Sequence, residues 1–267
     1  MDTNSENNVL MQTDASDKSN IDYQLTIARQ FPRDIQRCID NSIRIATMSM
    51  DTAQSCGYAL IKEGKPIVGP SVHLARIVAS CWGNVRTDAK VVQITEKQII
   101  SRGMCWDLET NVSSSFDISR SIIGKTGKRF TNDIITATGN ATNSIAYRNA
   151  VFAVVPRPVV DIVYQAVLNM ITGDLSDEGK LQKKRSEVIS SFKKSYKITE
   201  QEVIALCGKQ TAEQINIGEL ALLLGILQSL KDGDTTVNDL FPPKEVTKED
   251  IVAKKRKMKT KKVDKLL

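Results

Sequence analysis

At 267 residues the chain has room for one sizeable core and a smaller module. Hydrophobic residues make up 41% and charged residues 25%, ordinary for a globular protein, and five scattered cysteines without a CxxC pair argue against a zinc site and a disulfide framework. A net charge of +6 is compatible with a polyanionic partner without demanding one.

The charge is unevenly placed: acidic through Thr26, basic from Ile27 to Asp174, near neutral to Pro243, and strongly basic beyond. The N-terminus, MDTNSENNVLMQTDASDKSN, lacks the basic and apolar regions of a signal peptide, and its composition predicts a disordered acidic tail over 1–26. No run approaches the ~18 apolar residues of a membrane span. A soluble, intracellular protein that touches no membrane is expected.

From about Pro32 to Ser49 apolar positions recur at helical spacing, continued by Met48 and Met50. Around Gly57 the period changes: Tyr58, Leu60 and Ile67 alternate about Glu63-Gly64, the pattern of a hairpin. Gly69-Pro70 breaks the strand and Ser71 can cap a helix whose stripe of Leu74, Ile77, Val78, Cys81 and Trp82 ends at Gly83-Asn84. Three strands follow, about Arg86–Thr95, Ile99–Leu108 and Asn111–Arg120. In the last, Val112, Ser114, Phe116 and Ile118 alternate with Ser113, Ser115, Asp117 and Ser119, so one face of an antiparallel sheet is dry and the other wet. Asp133 to Val155 reads as a long helix stopped by Pro156 and Pro158, and Asp161 to Ile171 as a shorter one. Beyond Gly173, three helical segments form a small module over 176–243. They include a capped helix at Thr199 with Glu202 and an apolar one ending at Gly233. The tail, 244–267, carries too much charge to pack. The fold class is α+β, with a core over 27–175.

Catalytic motifs fail when counted out. Gly124 to Arg129 looks superficially like a phosphate-binding loop. The pattern needs a glycine five residues before its Gly-Lys pair and a Ser or Thr after it. Gly127-Lys128 has Ile122 before it and Arg129 after it, and Gly124-Lys125 has Ser119 before it, so neither register works. What remains is a flexible turn bearing Arg120, Lys125, Lys128 and Arg129, open to solvent or to phosphates. Asp107 and Glu109 point to one face of a strand, and paired acids can hold a metal for nucleic-acid cleavage. With no lysine at the next same-face position, Asn111, a solvated loop is the favoured reading. His73 is the only histidine and reads as a polar residue near a helix start. Trp82 reads as packing, whereas Trp106 is open between packing and base stacking. Arg148 lies on a helix whose core side reads as Ile145, Phe152 and Val155, so that Tyr147 and Arg148 together face a groove.

The order of elements resembles the phage single-strand annealing proteins of the Redβ/RecT/Erf class and their eukaryotic Rad-type relatives. IKEGKPIVGPSVHLARIVASCWGN is similar to the family's hairpin and first helix. NSIAYRNAVFAVV is similar to its later helix, with Arg148 at the basic position that faces the DNA groove, and LQSLKDGDTTVNDLFP is similar to its C-terminal helical module. Pro66, after Lys65, departs from that pattern, since proline cannot donate a ladder hydrogen bond.

The resemblance implies a hairpin, a helix, a three-stranded antiparallel sheet and a long helix. It implies a non-enzymatic protein of DNA recombination and repair, without cofactor or metal, in the cytoplasm of a bacterial host. Single-stranded DNA would lie on a ring or helical filament of identical subunits and anneal to its complement without ATP. Phosphate contacts are expected from Arg120, Lys125, Lys128, Arg129 and Arg148, then from Lys65, Arg86 and Lys90. A partner exonuclease or the host single-strand-binding protein would dock on 176–243. The competing readings are a metal-dependent DNA-processing enzyme using Asp107 and Glu109, and a non-enzymatic assembly or adaptor protein.

Overall fold

A computed structural model describes residues 18–62, 65–124, 127–174 and 178–241. The chain falls into two compact units that divide between Thr235 and Thr236. The described part of the second is a single turn of helix, Val237–Leu240, held by a capping box between Thr236 and Asp239.

The first unit is α+β. It opens with helix α1 over 18–30. The acidic start is therefore helical from residue 18, a correction to the expected tail, while 1–17 lie outside the described residues. Ile21, Leu25 and Ala28, four and three residues apart, make the stripe that orders it, and Ala28 is buried. The expected leading helix is two, α2 (Ile35–Ala46) and α3 (Met50–Ser55), because Ser49 caps a new start by accepting the Thr52 N–H. Met48, between them, is exposed.

Strands β1 (Gly57–Lys62) and β2 (Lys65–Pro70) pair as the expected hairpin. Pro66 does not disturb it. Opposed residues in an antiparallel pair alternate between bonding each other and pointing their N–H groups away. The Ala59 N–H points away, to Ser229 Oγ at 3.1 Å, and Ala59 opposes Val68. The pairs Ile61/Pro66 and Gly57/Pro70 lie two residues to either side, in the same outward phase. Both prolines thus sit where no ladder donor is needed, and they blunt the outer edge of β2.

Ser71 caps α4 (Val72–Trp82) by accepting the N–H groups of His73 and Leu74. Gly83 and Asn84, both at positive φ, end it. Strands β3 (Val85–Ile94), β4 (Gln98–Asp107) and β5 (Val112–Ser121) form an antiparallel sheet in that order. Helix α5 (Asn132–Val154) lies across one face. Its buried stripe is Ile135, Gly139, Thr142, Ala146 and Ala150, not the expected Ile145 and Phe152. Small residues win because the backbones approach closely: a Cβ on Gly103 of β4 would sit 2.2 Å from the Ala146 carbonyl. Ile99, Ile122 and Ile135 close the core at this end, with Val91 and Phe130 beside them.

Helix α6 (Arg157–Asp174) begins four residues earlier than expected. Pro158 falls in its first turn, where backbone N–H groups have no intrahelical acceptor, and Pro156 supplies the first carbonyl. Helices α7 (Glu178–Tyr196), α8 (Glu200–Leu206) and α9 (Ile217–Asp232) complete the unit. Thr199 and Glu202 form the expected box at α8, and Gly233, left-handed at φ 73, ends α9. Helix α9 packs on β1, with Gly225 against Ala59.

The Gly103 contact gives a direct test of this packing. Gly103→Ala forces the sheet and α5 apart and is expected to lower unfolding free energy by about 2 kcal/mol or more in urea titration. A loss under about 0.5 kcal/mol, the level of an ordinary surface change, counts against it.

Candidate nucleic-acid interface

Asp107 and Glu109 do not lie in a solvated loop. Asp107 is buried, and Arg33, from the loop after α1, grips both carboxylates. The Arg33 Nη1 and Nη2 groups donate to the two oxygens of Asp107, and its Nε donates to Glu109 Oε1 at 3.1 Å. The guanidinium stacks on Trp82, 4.5 Å from the ring centroid, and Trp82 Nε1 donates to Asp107 Oδ2 at 3.2 Å. The N–H groups of Glu109 and Thr110 complete Asp107 Oδ1. Burial pushes the Asp107 carboxyl up, but bonds from Arg33, Thr110 and Trp82 with the Arg33 charge outweigh it, and the net shift is below the ordinary carboxylate value. Among the described residues no cluster of His, Cys, Asp and Glu has the arrangement of a metal site. The pair locks the N-terminal segment to the end of the sheet.

Arg120 and Arg148, expected as phosphate contacts, are turned into the chain. Arg148 Nη1 donates to Asp234 Oδ2 at 3.0 Å, its side chain is 12% exposed, and the guanidinium lies 4.3 Å over the Tyr58 ring. Arg120 donates to the carbonyls of Gly233 and Asp234. The physical reason is the small-residue stripe of α5. Turning Ala146 and Ala150 to the sheet aims Arg148 at the end of α9 and leaves Tyr147 on the neighbouring side.

Tyr147 does line a groove, of about 450 Å³, between α4, β3 and α5. Arg76 from α4, Thr87 and Asp88 from β3, and Asn140, Asn143 and Ser144 from α5 make its other walls. The spacing 140, 143, 144, 147 is one helical face. Arg76 and Asn140 are exposed, and Asn143 Oδ1 is buried without a hydrogen-bond partner.

The face of the sheet turned away from α5 is the second feature. Strand register places Arg86 and Lys90 of β3, Ile100, Arg102, Met104 and Trp106 of β4, and Ser113, Ser115, Asp117 and Ser119 of β5 on it. Arg102 pairs bidentately with Asp117 across the strands, at 2.7 and 2.8 Å, and Lys90 lies 3.7 Å from Asp88. Arg86 reaches Gln24 of α1 at 3.5 Å. Trp106 is half-buried, its Nε1 donating to Asn111 Oδ1 at 3.1 Å.

The remaining expected contacts lie elsewhere in the fold. Lys128 and Arg129 are exposed in the turn between β5 and α5, where Gly124 N–H donates to the Lys128 carbonyl at 2.8 Å and Ile123 pairs with Arg129. Lys125 lies outside the described residues. Lys65 is exposed at the tip of the β1–β2 hairpin. His73 is half-buried near the α4 start, with Nε2 3.1 Å from Asp232 Oδ1, and Trp82 is buried as expected.

Arg33, Arg76 and Arg102 escaped the sequence reading. Alternation with Ile100, Met104 and Trp106 marks Arg102, and Arg76 falls off the apolar stripe of α4. Nothing local marks Arg33, whose partners are 74 and 76 residues away.

No protein-family model, no curated protein and no solved structure matches the chain. Among the described residues no single helix is long and apolar enough to cross a membrane.

Removing the arginine tests the lock. Arg33→Ala leaves Asp107 buried and unpaired, with an expected loss of about 3 kcal/mol or more at neutral pH. With its folded pKa depressed, Asp107 stabilises the native protein above its unfolded pKa of about 4 and loses that contribution as pH falls through the folded value. The variant is expected to show the opposite slope, its deficit shrinking from pH 7 to 4 as the unpaired acid takes up a proton. Parallel stability curves for the two proteins contradict this role.

Proposed function

We propose that this protein binds single-stranded DNA and anneals complementary strands without ATP, as a phage or prophage recombination protein in the cytoplasm of a bacterial host. The observation that carries the reading is the groove beside α5. Arg148, the position the resemblance assigns to the strand, is turned to Asp234 instead, but the groove on the neighbouring side of α5 offers the chemistry a strand requires. Arg76 supplies charge for phosphate, Tyr147 a ring for a base, and the amides and hydroxyls of Asn140, Asn143 and Ser144 polar contacts. Lys128 and Arg129 in the turn before α5, Lys65 at the hairpin tip, and Arg86 and Lys90 on the outer sheet face are further cations available to phosphates.

Such binding is insensitive to sequence and sensitive to salt, because its main term is counterion release. Annealing then needs no cofactor: the enzyme-like step is absent, and base pairing supplies the free energy. Strands β3 and β5 are the edges of their sheet and carry exposed Val92, Ile94, Val112 and Phe116. Unpaired edges of this kind support assembly of identical subunits into a ring or filament. The helical segment within 176–243 remains the proposed docking surface for an exonuclease or a single-strand-binding protein. The metal-dependent alternative is disfavoured because a guanidinium already takes both oxygens of Asp107 and the Oε1 of Glu109.

Two complementary labelled strands are expected to pair at least severalfold faster with the protein, without nucleotide. Tyr147→Ala, losing about 1–3 kcal/mol for one stacked base, is expected to weaken strand binding fivefold or more. Lys128→Ala with Arg129→Ala is expected to flatten its salt dependence. Unaccelerated pairing defeats the annealing reading, release of nucleotides in Mg²⁺ revives the enzyme reading, and an unchanged Tyr147→Ala affinity removes the groove from the site.

A further inference from the structure

Arg120 from β5 and Arg148 from α5 converge on the turn that ends α9. Together they meet the carbonyls of Gly233 and Asp234 and the Oδ2 of Asp234. Two guanidinium groups around a small set of negatively polarised oxygens, one stacked on an aromatic ring, is the arrangement arginines adopt around a phosphate. We propose that Arg120, Arg148 and Tyr58 form a phosphodiester site for single-stranded DNA, filled in the free protein by the C-terminal turn of α9, which a bound strand displaces. The proposal rests on the strand-binding reading above and adds its regulation.

Comparison of two buried ion pairs among the described residues supports the assignment. Asp107 has both oxygens satisfied by Arg33, Trp82 and two backbone N–H groups, as a permanent structural anchor should. Asp234 is as deeply buried, with its side chain 3% exposed, yet its Oδ1 has no partner among the described residues. Asp232 Oδ2, two residues before it, is buried and unpartnered as well. Burial, with a smaller push from the like charge of Asp232, drives the Asp234 carboxyl above its ordinary pKa despite Arg148 and Arg120 beside it. Apart from the two arginines, the segment is held by few bonds: Gly233 breaks the helix in the left-handed conformation, and the Thr235 N–H donates to the Ser229 carbonyl at 3.3 Å. A carboxylate missing half its hydrogen bonds is a poor lock and a ready leaving group for a stronger anion. A phosphate offers more acceptor oxygens to the same two arginines.

The test uses the full chain and a labelled oligothymidine, with affinity measured across a salt series. Asp234→Asn keeps the shape of the turn and removes its charge. It is expected to bind about tenfold tighter across the salt series, because the strand no longer competes with a charged turn for the same two arginines. Adding Arg148→Ala to that variant is expected to abolish the gain. In the wild-type protein, backbone amides of residues 233–235 are expected to exchange hydrogen faster when the oligonucleotide is bound. This measurement decides the matter alone where Asp234→Asn fails to fold. Unchanged or slower exchange, or an unchanged affinity in the folded variant, overturns the displaced turn while leaving strand binding intact. No binding by either protein defeats the reading on which the proposal rests.

Discussion

The contact between Gly103 and the backbone of Ala146 sets the geometry of the first unit. With no side chain between them, α5 lies directly on β4, and the faces of the sheet become unequal. The covered face carries Ile99, Ser101, Gly103 and Cys105, all buried. The other is left with Arg102, Met104, Trp106 and the serines of β5. The same contact fixes the rotation of α5 about its axis. Ala146 inward means Tyr147 toward the groove beside β3 and Arg148 toward α9, so one glycine decides what three side chains on the helix can do.

Two arginine clusters then tie the ends of the unit to this sheet, and they do so differently. Arg33 closes the N-terminal segment against Asp107 and Glu109 with every Asp107 oxygen satisfied. A buried pair of that quality is a source of specificity in docking more than of net stability, since desolvation offsets much of the attraction. Arg120 and Arg148 hold the end of α9 with buried acceptors left over. The first cluster engages both oxygens of Asp107 and the Oε1 of Glu109. The second makes two cations conditional on the position of one turn.

Much of the element order was legible in the sequence. The hairpin, the cap at Ser71, the stop at Gly83-Asn84, the strand alternation and the box at Thr199 each arise from a few neighbouring residues, whose conformational preferences act locally. Helix α1 was legible too, in Ile21, Leu25 and Ala28, beneath a polar composition that masked it. The expected site fared less evenly. Lys128 and Arg129 are exposed on a turn, where charge and turn residues lie side by side in the chain. Arg120 and Arg148 are turned inward, because their partner lies 86 residues or more further along and only folding brings it near.

The sequence by itself therefore determined the α+β class, most of the succession of elements and which strand residues share a face, because periodicity and capping operate within a turn or two of chain. It did not determine that Val112 and Phe116 stay exposed. The tertiary structure alone decided which cations are free. It paired Arg33 with Asp107, turned Arg148 onto Tyr58 and Asp234, and opened the groove that Arg76 and Tyr147 line. Those choices depend on which distant groups share a low-dielectric space, and no local pattern encodes that.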